Sequence, residues 1–202
     1  AALLAQPSAP AYRAAGIHRY ISSLLPELAA MPGLRLVAFV AARDAADGLP
    51  RGMDVRTAWA PARRPVGRIV WEQSCLPRQL SRCAVQLYHG AAYALPAASR
   101  LPAVVTIHDL SFFRMPETLP RTHAFYLRAA TRIAARRAAA LIAVSRFTAD
   151  EVKSVLGVFD RDPDIRCDEK LTELSLLIVI PRLARAVVVA SRSAGCHAVI
   201  RR

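Results

Sequence analysis

Lysine is nearly missing from this 202-residue chain: Lys153 and Lys170 are the only two, leaving 26 of its 28 basic residues as arginine. Cysteine is sparse as well. Cys75, Cys83, Cys167 and Cys196 form no CxxC pair, so they read as reduced thiols of a cytosolic protein rather than a disulfide frame or a zinc site. No run of about 18 uncharged apolar residues occurs, which excludes a bilayer-spanning helix. The most apolar late stretch, Leu174 to Ala190, is cut by Pro181, Arg182 and Arg185. No GxGxxG follows the first apolar run, and neither GxxxxGK[ST] nor GxSxG is present. A dinucleotide fingerprint, a P-loop and a hydrolase elbow are therefore excluded at motif level. His89, His108 and His123 stand at no metal-ligand spacing with the cysteines, so no metal and no cofactor is expected.

Apolar residues make up 54% of the chain, ample for a core and outside the disordered class. At roughly 150 residues per domain, the length suits one domain and part of another. The formal charge of +13 fits a solvated basic surface, or attraction to anionic lipid head groups and phosphorylated ligands. Nucleic acid is not expected as a partner, because the arginines are scattered and no stripe of aromatic and basic residues accompanies them.

Along the chain, short apolar runs alternate with helical periodicity. Strands are predicted at Ala1–Ala5, Leu34–Val40, Met53–Trp59, Ala84–Tyr88, Leu101–Ile107, Ala139–Val144 and Leu174–Ile180. A helix follows Gly16, with Pro26 expected to kink or end it, and another runs through Ile69 to Leu80 despite Pro77. Thr122 to Arg137 reads as an amphipathic helix with Phe125, Tyr126, Ala129, Ile133 and Ala134 on its apolar side. A last helix is capped by Ser145 or Thr148, Thr148-x-x-Glu151 fitting a capping box, and Gly157 sits at its C-cap. This alternation predicts an α/β fold, a Rossmann-like doubly wound and mostly parallel sheet with helices on both faces. Residues 1–158 form the domain. Residues 159–202 form an unassigned C-terminal segment whose start, Phe159 to Glu173, holds six of the fifteen acidic residues.

The run Leu101 to Phe113 carries the chemistry. A continuous apolar stretch with β-branched residues predicts a strand buried on both faces, and it ends in His108-Asp109. Open α/β sheets bind ligands at the carboxyl ends of their strands, so this imidazole and carboxylate are the candidate reacting groups. Taken alone, a histidine there more often only caps a strand. Gly16 lies between a strand and a helix, where a missing Cβ permits close backbone approach and free helix N–H groups attract phosphate. Most such glycines only permit a turn.

Six blocks together carry a family resemblance: Gly16-Ile17-His18-Arg19-Tyr20-Ile21, Trp71-Glu72-Gln73 with Leu76-Pro77, Tyr88-His89-Gly90, Val104 through Phe112, Met115-Pro116-Glu117, and Ala143-Val144-Ser145-Arg146-Phe147-Thr148. In order and spacing they resemble the N-terminal half of bacterial family 4 glycosyltransferases, most closely the mannosyltransferase-like members, over roughly residues 1–158. The resemblance implies one half of a GT-B fold, the acceptor-side domain of a retaining, metal-independent enzyme using a nucleotide-sugar donor on polysaccharide or glycolipid precursors. It implies that Gly16 approaches the donor diphosphate, that His108 reaches the transferred sugar, and that Asp109, His89, Tyr93 and Ser145 line the cleft or the acceptor site. Expected partners are the donor, a glycan or glycolipid acceptor and an anionic membrane surface, in a cytoplasmic protein peripheral to the inner face of the cell membrane.

The family's donor half supplies an arginine, a lysine and a Glu-x7-Glu pair, yet no glutamate here is followed by another eight positions later. The chain alone is therefore expected to be inactive. The alternative is a non-catalytic glycan- or partner-binding α/β domain without a donor half.

Overall fold

Most strands form from apolar runs of four or five residues, the polar strand Asp54–Thr57 being an exception, and the amphipathic segments between them become helices. The computed structural model describes residues 2–5, 16–40, 49–58, 65–157, 177–179, 187–190 and 197–200. Two compact units result, residues 1–91 with 95–102, and residues 92–94 with 103–202.

The first unit contains β1 (Ala2–Ala5), α1 (Gly16–Ala29), β2 (Val37–Val40), β3 (Asp54–Thr57), α2 (Pro65–Val70), a π turn (Trp71–Cys75), α3 (Leu76–Arg82) and β4 (Tyr88–Gly90). Its strands lie in the order β3-β2-β1-β4, every pair parallel. The central strand β2 is buried along its whole length, as an apolar run covered on both faces must be. Strand order reverses between β1 and β4, the kind of switch point at which such sheets bind ligands. Helix α1 packs Ile21 and Leu25 against Ala91, just beyond β4, with Ile17, Tyr20, Leu49 and Met53 around them.

The two prolines sit where a helix tolerates them. Pro26 lies in the last turn of α1, which ends three residues later at Ala29. Pro77 stands in the first turn of α3, where its fixed φ suits a helix start. Directly before it, the Leu76 N–H reaches back five residues to the Trp71 carbonyl and makes the π turn. Strand β4 starts at Tyr88 rather than Ala84, because Ala84 takes a left-handed φ of 48° that no strand accommodates.

The second unit contains β5 (Ala103–Ile107), α4 (Ser111–Arg114), a 3-10 turn (Pro116–Thr118), α5 (Arg121–Arg137), β6 (Ala140–Ala143), α6 (Arg146–Leu156) and β7 (Leu177–Val179). β5 and β6 pair in parallel, and β7 pairs antiparallel with β6. β8 (Val187–Ala190) and β9 (His197–Ile200) form a separate antiparallel pair. The α/β class with parallel strands is as expected.

Helix α5 is rotated from its expected orientation. It buries Ala134 as expected, but with Ala124, Ala130, Thr131 and Ala135, while Phe125 is 75% exposed and Ile133 is exposed as well. Arg128 stands at the border of the buried face, where its guanidinium donates to the Phe112 and Phe113 carbonyls at 2.7 and 3.1 Å and pins the helix in this orientation. Phe112 itself is buried, 2% exposed.

The two phenylalanines should therefore respond differently to truncation. Phe112→Ala is expected to cost about 3–5 kcal/mol through the cavity it leaves. Phe125→Ala should stay within about 0.5 kcal/mol of the parent. Chemical denaturation of both variants checks the pair, and a large loss at Phe125 would contradict the outward rotation of α5.

Candidate functional site

The site is built on the shared edge of β5 and β6. Their register pairs Ile107 with Ala143, and the Val144 N–H donates to the Ile107 carbonyl at 3.3 Å. Both strands thus finish at one level, and His108 and Ser145 leave the sheet from the same edge. Two hydroxyls fasten this edge. Ser145 is the N-cap of α6 and accepts from the Thr148 N–H at 3.1 Å. Its Oγ also lies 2.9 Å from the Thr148 Oγ1, which donates to the His108 carbonyl at 3.1 Å. The cap is Ser145, so Thr148 is the third helical residue. Glu151 does not complete a capping box; its carboxylate takes a 2.7 Å hydrogen bond from Arg114 and ties α6 to α4.

Asp109 is the most heavily bonded group at the site. Its Oδ1 accepts from the Ser111 N–H at 2.9 Å and the Ser111 hydroxyl at 2.6 Å, a local Asx turn. Its Oδ2 accepts from the Tyr93 hydroxyl at 2.8 Å. Partial burial pushes the Asp109 carboxyl upward, but the Ser111 bonds, the Tyr93 hydroxyl and the nearby charge of His108 outweigh it and hold the group below its ordinary value. Tyr93 shows the complement. Burial, then the charge and hydrogen bond of Asp109, push its phenol far above the ordinary range. The phenol therefore stays a donor and Asp109 stays an ionised acceptor.

Tyr93 holds a left-handed φ of 60°, which a bulky residue rarely takes without support. Its N–H donates to the Thr106 carbonyl at 3.0 Å. Its ring meets Phe112 edge-on at 5.2 Å and His108 at 5.8 Å with an interplanar angle of 66°, an edge-to-face geometry that favours the contact. The predicted residues Tyr93, His108, Asp109 and Ser145 are thus brought together in one unit. Ser111 and Thr148 complete the set; Asp-Leu-Ser was a readable signal for the former, whereas Thr148 reaches His108 across 40 residues.

Gly16 and His89 belong to the other unit. His89 is buried inside β4, opposite Leu3. Gly16 opens α1, is exposed, and an added Cβ would meet nothing within 4 Å. Crowding within the fold therefore does not require glycine at this position. Gln73, in the π turn, donates to the Leu95 carbonyl at 3.2 Å and accepts from the Ala97 N–H at 2.9 Å, which fixes the loop after β4. Among the described residues no group of three or more His, Cys, Asp or Glu could hold a metal, and no helix is long and apolar enough to cross a membrane. Cys75 and Cys83 are free thiols; Cys167 and Cys196 lie outside the described residues.

Across residues 14–163 the chain matches the family described as Glycosyltransferase Family 4. None of the curated proteins compared with the chain matches it.

The carboxylate clamp has a consequence for acid stability. Asp109 sits below the ordinary aspartate value of 3.8, so its contribution is complete above that pH and is lost as pH falls through the lowered folded value. Tyr93→Phe removes one bond to the ionised form and should move that folded value upward. The stability gap between parent and variant, open at neutral pH, should narrow below about pH 4. Denaturation midpoints across pH check this, and a gap of constant width would mean that the phenol does not bond an ionised carboxylate.

Proposed function

The chain belongs to glycosyltransferase family 4, and on that premise we propose that it forms the acceptor-side domain of a retaining, nucleotide-sugar-dependent glycosyltransferase in which His108 acts at the transferred sugar. The observation that carries the reading is the preorganisation of His108. It leaves a buried strand beside an ionised carboxylate, its ring is braced by Tyr93, and its carbonyl is held by Thr148. Groups aimed in advance at developing charge need no rearrangement during the reaction, and such preorganisation is a large part of catalysis.

When the bond between a sugar's anomeric carbon and the diphosphate breaks, positive charge develops on the ring and negative charge on the leaving group. His108 hydrogen-bonds a hydroxyl of that sugar and fixes its orientation. Asp109 has both oxygens engaged by Ser111 and Tyr93, which suits an orienting group better than a nucleophile. Tyr93 has its hydroxyl on Asp109, and Ser145 has its hydroxyl in the cap of α6; both act by holding the site in place. Gly16 offers a side-chain-free helix start to the donor diphosphate.

The donor is a nucleotide-sugar and the acceptor a glycan or glycolipid precursor at the cytoplasmic face of a membrane. The +13 charge supports both the anionic donor and the anionic surface as partners. A full grip on the diphosphate needs the arginine, the lysine and the glutamate pair that this sequence does not contain, so the chain alone binds nucleotide-sugars weakly and transfers none.

Two measurements test the reading. Incubated with UDP-, GDP- and ADP-sugars and with free and lipid-linked acceptors, the chain should release no nucleotide above a His108→Ala control, while acceptor saccharides should shift the His108 imidazole resonances. In a two-domain enzyme carrying this domain, His108→Ala should lower turnover about 10²–10³-fold with little change in stability. Wild-type turnover in that variant would make His108 a structural residue, and imidazole resonances indifferent to every saccharide would favour the non-catalytic alternative.

A further inference from the structure

Helix α4 is a single turn, Ser111 to Arg114, too short to stand on helix propensity alone. The sequence also leaves its end open. In a continuing helix the Phe112 carbonyl would accept from the N–H four residues on, but that residue is Pro116, which has none. Arg128 fills the gap from α5. Its Nε donates to the Phe112 carbonyl at 2.7 Å and its Nη2 to the Phe113 carbonyl at 3.1 Å. The guanidinium carbon also lies 5.8 Å from the centre of the Phe113 ring. A planar fork on two successive carbonyls fixes orientation as well as distance, and a charged donor bonds more strongly than a neutral one.

We propose that Arg128 is a positioning residue of the His108 site, acting through the turn of α4 that it holds. Two branches lead from that turn to the site. Ser111, its first residue, directs an N–H and a hydroxyl at Asp109 Oδ1. Phe112, its second, meets the Tyr93 ring edge-on at 5.2 Å, and Tyr93 in turn bonds Asp109 Oδ2 and stands against the His108 ring. A turn that slid or frayed would therefore move two donors of Asp109 and the brace of His108 together. Arg114 ties the same turn to Glu151, but its side chain is 56% exposed, and an ion pair so open to water holds a turn less firmly than a half-buried fork does. The effect of Arg128 on turnover rests on the proposed role of His108 in sugar transfer; the positioning itself is read without donor or acceptor.

The test starts from the full 202-residue chain in NMR. In the parent, the Arg128 Nε proton should exchange with solvent about tenfold more slowly than that of Arg132, an exposed arginine over the same Phe113 ring. The Met115 N–H donates to the Ser111 carbonyl at 2.7 Å and so reports whether the turn is closed. In Arg128→Gln it should exchange about tenfold faster, and the Asp109 carboxyl and His108 ring resonances should move. The Val144 N–H, bonded across β5 and β6, should keep its rate as the sign of a folded unit. Arg132→Gln, the matched control, should change none of these. Arg128→Lys keeps the charge but cannot span both carbonyls, and should regain part of the protection; if Val144 loses protection in Arg128→Gln, this variant and the parent's Nε proton decide. In a two-domain enzyme carrying the domain, Arg128→Gln should lower kcat about tenfold with the donor KM little changed. An Nε proton as labile as that of Arg132, site resonances that stay in place in Arg128→Gln, or equal effects of the two glutamine variants would each overturn the proposal. Full turnover in His108→Ala would instead overturn the sugar-transfer reading and leave the resonances to judge Arg128.

Discussion

The parallel, in-register pairing of β5 with β6 is the constraint on which the site rests. Because Ile107 lies beside Ala143, the two chains leave the sheet together, and Ser145 can cap α6 while Thr148 reaches the carbonyl of His108. A shift of one residue in that register would turn every following side chain to the opposite face. His108 would then point away from Tyr93, and the cap would no longer meet β5. The apolar, fully buried sequence of β6 guards against such a slip only in combination with these hydroxyl bonds, since a strand covered on both faces has no polar side to betray the wrong register.

Tyr93 is the second fixed point, and it is costly in conformation. A left-handed backbone at a large aromatic residue persists only where several contacts agree on it. Here the backbone bond to Thr106, the phenol bond to Asp109 and the two ring contacts do so. The carboxylate gains as much as the tyrosine. With three donors directed at it, Asp109 remains charged while partly removed from water, which an unpaired carboxylate would resist.

The fold was legible wherever one local rule acted without competition. Buried runs such as Val104 to Ile107 and Ala140 to Ala143 read as strands because nothing else suits an unbroken β-branched or apolar stretch, and Gly157 read as a C-cap because its φ of 61° is one that glycine takes freely. His108 and Asp109 followed from a strand end, and the family from the blocks around it. What could not be read depended on distant partners. The rotation of α5 is pinned by Arg128 bonding carbonyls 15 and 16 residues earlier, and a helix of alanine and arginine has too little contrast between its faces to reveal it. Ser145 and Thr148 are equally good caps by composition; Ser145 takes the cap by accepting the Thr148 N–H, while Glu151 is drawn to Arg114, 37 residues away. Ala84 carries no mark of its left-handed φ, so the start of β4 was set too early.

The π turn at Trp71–Cys75 is a place where the chain's length is recorded in its geometry. Such a turn is equivalent to an α-helix carrying one surplus residue. The turn takes up that residue locally, so α2 and α3 stay in phase although the chain between them is one residue too long for a regular helix. Deleting a single residue between Trp71 and Cys75 would therefore leave Trp71 against the Phe39 ring and Leu76 and Leu80 in the core. What it would alter is the turn itself, where Gln73 stands out to meet Leu95 and Ala97. The surplus residue thus serves the loop after β4 and not the core, and a chain one residue shorter would keep its helix and lose that tether.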